Sequence, residues 1–226
     1  MVSLFSGLGY TVGDICHEVR RFGIAKCLKK VYTMPGLEKV VLVIIPILEL
    51  LKQNSIGKVD IWLEVMKDEH SLYTSVHMIP ATYRLLKTPS LTKTLYLLKS
   101  FCETAVLLDR YEVVDLTPYV NFSSRLGQLS IFQSDLAKRF LNAPKDFFVV
   151  LLAITNLMNL GRKHYLEVHD SKERRKDLLK AVYSLGMVAL VIMKSRFYRS
   201  GVPLPAFYHC LDIATQGANL VRYIIK

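Results

Sequence analysis

Apolar residues recur along most of this chain with a period of 3.6. Val12, Ile15, Cys16, Val19 and Phe22 stand at i, i+3, i+4, i+7 and i+10 of one helix face, with Arg20 and Arg21 turned away from it. Leu91, Leu95, Leu98, Cys102 and Ala105 repeat the pattern. Strict two-residue alternation is scarce, and a strand-like run such as Val40–Ile45 sits inside a longer apolar stretch with charged flanks. The pattern predicts an all-α fold, a bundle of about eight or nine amphipathic and apolar helices.

Breakers divide the pattern. Pro35-Gly36 separates a first helix, at about 11–31, from a second at about 37–53. Asn54–Gly57 leads into a third at about 58–69, and Pro80 interrupts a short weak segment near 71–87. Thr88-Pro89 and Thr117-Pro118 read as an N-cap followed by proline at the first helical position, where the missing N–H costs nothing. They open helices at about 89–112 and 118–142. Pro144 starts another at about 145–169, Asp170-Ser171 caps one at about 172–199, and Pro203 and Pro205 precede a last helix to about 225. With no internal repeat and no long linker, the chain divides into an N-terminal amphipathic region, 1–115, and a C-terminal apolar region, 116–226, or forms one domain.

Composition sharpens this picture. The 226 residues carry 30 Lys+Arg against 19 Asp+Glu, a formal charge of +11, and are 51% hydrophobic with a mean hydropathy of +0.27. That excludes a disordered chain, which would be polar and poor in aromatics. A chain both greasy and basic suits an anionic membrane surface. Three apolar runs stand out: Val40–Leu51, Phe147–Leu160 and Ala181–Met193. Each is shorter than the ~20 residues of a transmembrane helix, so buried core helices and interfacial helices both stay open. Cys16, Cys27, Cys102 and Cys210 show no paired spacing and read as free thiols. The N-terminus lacks the pattern of a secretory signal, and Tyr223–Lys226 is no receptor-read address.

Catalytic and cofactor motifs are absent: no GxGxxG, P-loop, HExxH, nucleophile elbow or EF-hand loop occurs. The expectation is a non-enzymatic protein without cofactor or metal. His70 and His77 could share a helix face, but no carboxylate or thiol in the sequence completes a metal set. Asn156 and Asn159 make a polar seam in the greasiest helix, and Asp212 and Arg222 are a candidate polar pair in the last one.

The positive charge sits at the edges of apolar helical runs. Arg20, Arg21, Lys29 and Lys30 cluster on the first helix, and Arg162 and Lys163 end the run at 147–160. Lys172, Arg174, Arg175 and Lys176 form the densest group, and Lys194 and Arg196 follow the run at 181–193. Such residues snorkel and hold anionic headgroups, which makes them candidate lipid-binding residues. Nucleic acid is not expected as a partner, since no helix-turn-helix occurs and no helix combines basic with base-reading residues.

The second half resembles the peroxin-11 family of peroxisomal (or glycosomal) membrane proteins. The likeness rests on the order of its features over about 80 residues, 147–226. The greasy helix Phe147–Leu160 runs into Gly161-Arg162-Lys163, followed by the charged break Glu173-Arg174-Arg175-Lys176. Leu178–Leu190 and the turn Gly201-Val202-Pro203-Leu204-Pro205 lead to a last helix with Asp212, Ala214, Gly217 and Ala218. Gly36-Leu37-Glu38-Lys39 before an apolar helix looks like that family's early segment. The resemblance implies an organelle-membrane protein that binds and curves the bilayer through amphipathic helices, self-associates, and carries no catalytic residue. The alternative is a cytoplasmic helical interaction or adaptor module, such as a bacterial effector or viral protein, whose apolar surface meets a protein partner.

Overall fold

A computed structural model describes residues 29–54, 59–129, 134–166, 171–198 and 203–225. Among these the fold is all-α, with eight helices and no strand. They are α1 (Met34–Gln53), α2 (Val59–Lys87), α3 (Leu91–Arg110), α4 (Thr117–Leu126), α5 (Asp135–Asn142), α6 (Pro144–Leu166), α7 (Ser171–Tyr198) and α8 (Ala206–Ile225). The expected first helix lies outside the described residues apart from a helical turn at 29–31.

Local chemistry fixes the ends. The Thr33 hydroxyl accepts from the Gly36 amide at 3.3 Å with Pro35 in the first turn, which satisfies an orphan donor of α1. Ser90 caps α3 through the Lys93 amide, and Ser134 caps α5 through the Ala137 amide. Two expectations are corrected here. Thr88-Pro89 precedes the helix start, and Ser90 is the cap. Thr117 is the first residue of α4, its amide held by the Asp115 carboxylate at 2.8 Å.

Two boundaries also differ. The separate elements expected near 58–69 and 71–87 are one 29-residue helix, α2, with Pro80 inside it. A proline in a helix interior costs about 3 kcal/mol, but α2 is held along its length by α1 and α3. Conversely, the single helix expected at 118–142 is two, α4 and α5.

The six long helices form a closed ring. In order around it, α1 packs on α2, α2 on α3, α3 on α6, α6 on α7, α7 on α8, and α8 back on α1. Neighbours run antiparallel. Lys30, just before α1, donates to the Ile224 carbonyl at the end of α8, while Gln53 at the end of α1 meets His209 near the start of α8. Lys163 near the end of α6 likewise meets Glu173 and Asp177 near the start of α7. One end of the ring therefore gathers the α2–α3 turn, the α6–α7 connection, the start of α1 and the end of α8. At the opposite end, α4 and α5 are inserted between α3 and α6, and α5 packs on α6 and α7.

The α7–α8 crossing is tight. A Cβ on Gly186 would collide with the Thr215 side chain, whose Cγ2 would lie 2.7 Å away. Thr215 and Ser184 beside it are fully buried, so small residues set this approach.

Polarity is distributed in an unusual direction. Buried positions include Glu38, Ser100, Asp146, Ser184, His209, Thr215, Gln216 and Asn219, nearly as many polar residues as apolar ones. The outward faces are apolar. On α2, Ile61, Trp62, Val65, Leu72, Val76, Ile79, Tyr83 and Leu86 are exposed. Leu91, Leu98 and Phe101 on α3, Phe147, Ile154 and Met158 on α6, and Leu178, Leu185 and Ile192 on α7 continue the belt.

Candidate functional site

The interior of the ring carries ionisable side chains among its buried apolar and neutral polar ones. At its middle, Lys99 and Glu103, one turn apart on α3, pair at 3.2 Å with side-chain exposures of 20% and 11%. Burial alone would raise the Glu103 carboxyl, but Lys99, Lys145 and His70 outweigh it and hold the group below its ordinary range. His70 is pushed down by burial, against the pull of Glu103. Glu38 of α1 faces His77 of α2 at 3.8 Å. Thus His70 and His77 share the inward face of α2, each within electrostatic reach of a carboxylate; among the described residues no three His, Cys, Asp or Glu side chains are grouped so as to hold a metal ion.

Toward the end that carries α4 and α5, Glu49 meets Lys67 at 2.8 Å and His209 at 3.3 Å, and Arg139 meets Asp146 at 2.7 Å. At this end acids are paired with cations. Lys52–Asp60 and Arg110–Asp68 continue the pairing at its surface.

The other end is basic and holds a cavity of about 400 Å³, lined from all six ring helices. Lys39 comes from α1, Arg84 from α2, Lys93 and Tyr96 from α3, Asn156 from α6, Lys180 and Tyr183 from α7, and Asn219 and Arg222 from α8. Burial lowers the Lys39 ammonium, and Glu38 only partly restores it. Burial also lowers the Arg222 guanidinium. Arg222 donates to the Asn219 side-chain oxygen at 3.2 Å and stands over the Tyr183 ring at 5.9 Å.

The predicted lipid-binding residues divide between the two ends. Arg20 and Arg21 lie outside the described residues, as does the Lys172 side chain. Lys29, Lys30, Arg162, Lys163, Arg174, Arg175 and Lys176 all fall at the basic end. Of these, Lys29, Arg162 and Arg174 are exposed; Lys30, Arg175 and Lys176 are half-buried. Lys163 is bound by Glu173 and Asp177. Lys194 and Arg196 sit at the opposite end, Arg196 exposed and Lys194 half-buried within electrostatic reach of Asp146.

Asp212 and Arg222, a candidate pair in the sequence beside the alternatives of capping or a solvated helix face, do not meet. Asp212 accepts from Gln216 at 3.1 Å, whereas Arg222 bonds Asn219, because ten residues are about 15 Å along a helix. The expected amide seam is also split: Asn156 lines the cavity and Asn159 is exposed. Lys39, Arg84, Lys93, Lys180 and the two tyrosines were not legible as a group, because they are spread over four helices. Cys102 and Cys210 are free thiols, while Cys16 and Cys27 lie outside the described residues.

Over Glu173–Phe197, α7 has the length and hydropathy to cross a bilayer, and only 28% of its most apolar window is buried by the rest of the fold. The apolar pair Leu136–Asn142 and Pro144–Lys163 is bent by 116° at the break between them. No protein-family model, curated protein or solved structure matches the chain.

Proposed function

We propose that the chain is a non-enzymatic membrane-associated protein that binds and reshapes an organelle bilayer of the peroxisomal type. The observation that carries this reading is the inverted distribution of polarity: ionisable groups line the ring's interior while its outer faces expose a belt of large apolar side chains. In water such a belt costs about 25 cal/mol per Å² of apolar surface left wet. Against acyl chains that cost disappears, and interior pairs such as Lys99–Glu103 and Arg139–Asp146 are the arrangement expected of ionisable groups near lipid.

The two ends divide the work. Exposed cations at the basic end, with Lys29, Arg162 and Arg174 foremost, attract anionic headgroups at about 1 kcal/mol each. At the other end α4 presents Tyr119, Val120 and Phe122 outward, with Val113 and Val114 beside it. This helix also exposes Asn121, Ser124 and Arg125, and a helix that mixes apolar and polar surface in this way inserts as a wedge at the headgroup boundary. Because α4 and α5 widen the ring at one end only, they occupy more area in one leaflet than in the other, which is the requirement for curvature.

Flotation of the purified full chain with vesicles containing anionic lipid tests the reading, with electron microscopy of the same vesicles. Flotation that survives 1 M salt, with tubulated vesicles, is the expected result. Protein that stays at the bottom of the gradient in low salt contradicts it, and the adaptor reading then replaces it.

A further inference from the structure

The cavity at the basic end has a charge that the bilayer reading leaves unused. Five cationic side chains line it and no acidic one does; Glu38 borders the adjoining pocket and faces His77, and Asp177, within electrostatic reach of Lys180, is bound to Lys163. None of the five forms an ion pair with a described carboxylate, whereas Lys52, Lys67, Arg110 and Arg139 toward the far end of the ring each pair with one. Lys93 is partly engaged with the last carbonyls of α2, through Thr88 at 2.7 Å and Arg84 at 3.4 Å. Lys39, Lys180 and Arg222 are half-buried, and Arg84 stands at the exposed rim.

We propose that this cavity binds a phosphate-bearing anion. Like charges gathered in a half-buried space repel one another, so the fold is poised to gain from a compact ligand carrying several negative charges. A monocarboxylate would neutralise only one of the five. A phosphate or diphosphate offers several acceptor oxygens to the planar guanidinium of Arg222, to the mobile ammonium groups of Lys39 and Lys180, and to the Asn219 and Asn156 amides. Tyr96, Tyr183 and Leu152 form a less polar wall for the remainder of the ligand. The phosphate has two possible sources, a soluble phosphate compound or a phosphomonoester lipid headgroup, and the cavity recognises their shared chemistry. The inference does not rest on the bilayer reading, since the full chain would bind a soluble phosphate whether or not it binds vesicles.

Calorimetric titration of the purified full chain with inorganic pyrophosphate tests the proposal, with equimolar sulfate as the ionic-strength control. Saturable one-to-one binding that sulfate does not mimic is expected. Arg222→Gln and Lys39→Met should each weaken it roughly tenfold or more, since each removes a charge-assisted hydrogen bond. Lys52→Gln, at the far end of the ring, should leave it unchanged. If Arg222→Gln fails to fold by circular dichroism, Arg84→Gln at the exposed rim replaces it and should weaken binding in the same direction. A short-chain phosphatidic acid that binds at least tenfold more tightly than pyrophosphate assigns the site to lipid; equal or weaker binding assigns it to a soluble phosphate. Absence of saturable binding overturns the proposal, as does binding that the cavity variants leave intact.

Discussion

Glu103→Gln removes one partner of the ion pair at the middle of the ring and leaves Lys99 charged there. The wild-type pair spans 3.2 Å with exposures of 20% and 11%, and Lys99 is raised because its contacts with Glu103 and the neighbouring tyrosines outweigh burial. Breaking a buried pair on one side costs about 3–5 kcal/mol, because the remaining charge stays desolvated without compensation. The matched control is Asp60→Asn. Its pair with Lys52 is shorter, at 2.6 Å, but exposed at 56% and 67%, and such pairs contribute about 0–1 kcal/mol. At about 2–4 °C per kcal/mol for a chain of this size, Glu103→Gln should lower the melting temperature by roughly 6–20 °C, and Asp60→Asn by less than about 4 °C. Replacing both partners, Lys99→Met with Glu103→Leu, should recover most of the loss. Thermal unfolding followed by circular dichroism in one buffer and one detergent measures all three. Equal small shifts for Glu103→Gln and Asp60→Asn would refute the reasoning, because they would mean that water reaches Lys99 as freely as it reaches Lys52.

Further expectations follow from particular residues. Acid should destabilise the wild type in two stages. His70 has a folded pKa below the unfolded 6.5, so its contribution is present above about 6.5 and is lost as the pH falls through the folded value. Glu103, lowered from 4.5, adds a second loss below that pH which the Glu103→Gln variant should lack; melts between pH 8 and pH 3 show both. Gly186→Ala drives a methyl into buried Thr215 and should cost about 1–3 kcal/mol, whereas Gly161→Ala, with open space around it, should be neutral or slightly stabilising in paired melts. Charge reversal of the exposed Lys29, Arg162 and Arg174 to Glu should weaken partitioning onto anionic vesicles at low salt by roughly a hundredfold, from about 3 kcal/mol of lost attraction. Equal sedimentation of this triple variant and the wild type would make those cations a solvated rim.

The helices were legible where apolar period and cap chemistry agree. The helix read at about 89–112 is α3, Leu91–Arg110, and it starts two residues later because Ser90, not Thr88, supplies the capping oxygen. Pro80 misled in the opposite direction. A proline marks a break when local structure decides, but α2 is stabilised by packing on both neighbours and continues through it. The inverted polarity was half legible. A period of 3.6 locates an apolar face without saying whether that face points inward, and Leu72, Val76, Ile79 and Leu86 point outward. The basic clusters were visible as helix-edge cations, yet their collection at one end depends on the antiparallel order of the ring. The cavity was least legible: its five cations run from Lys39 to Arg222, one on each of five helices, and only closure of α8 onto α1 joins them.

The central claim, that apolar outer faces meet lipid while charges face inward, can be read from one side chain. Trp62 is the only tryptophan of the chain and lies 62% exposed on the outward stripe of α2. Its emission should shift to the blue when anionic vesicles are added to the full chain. Lipids brominated on their acyl chains should quench it, and neither effect should reverse in high salt. An emission that stays red-shifted with saturating vesicles, and is quenched by aqueous iodide as strongly with them as without, would contradict the account.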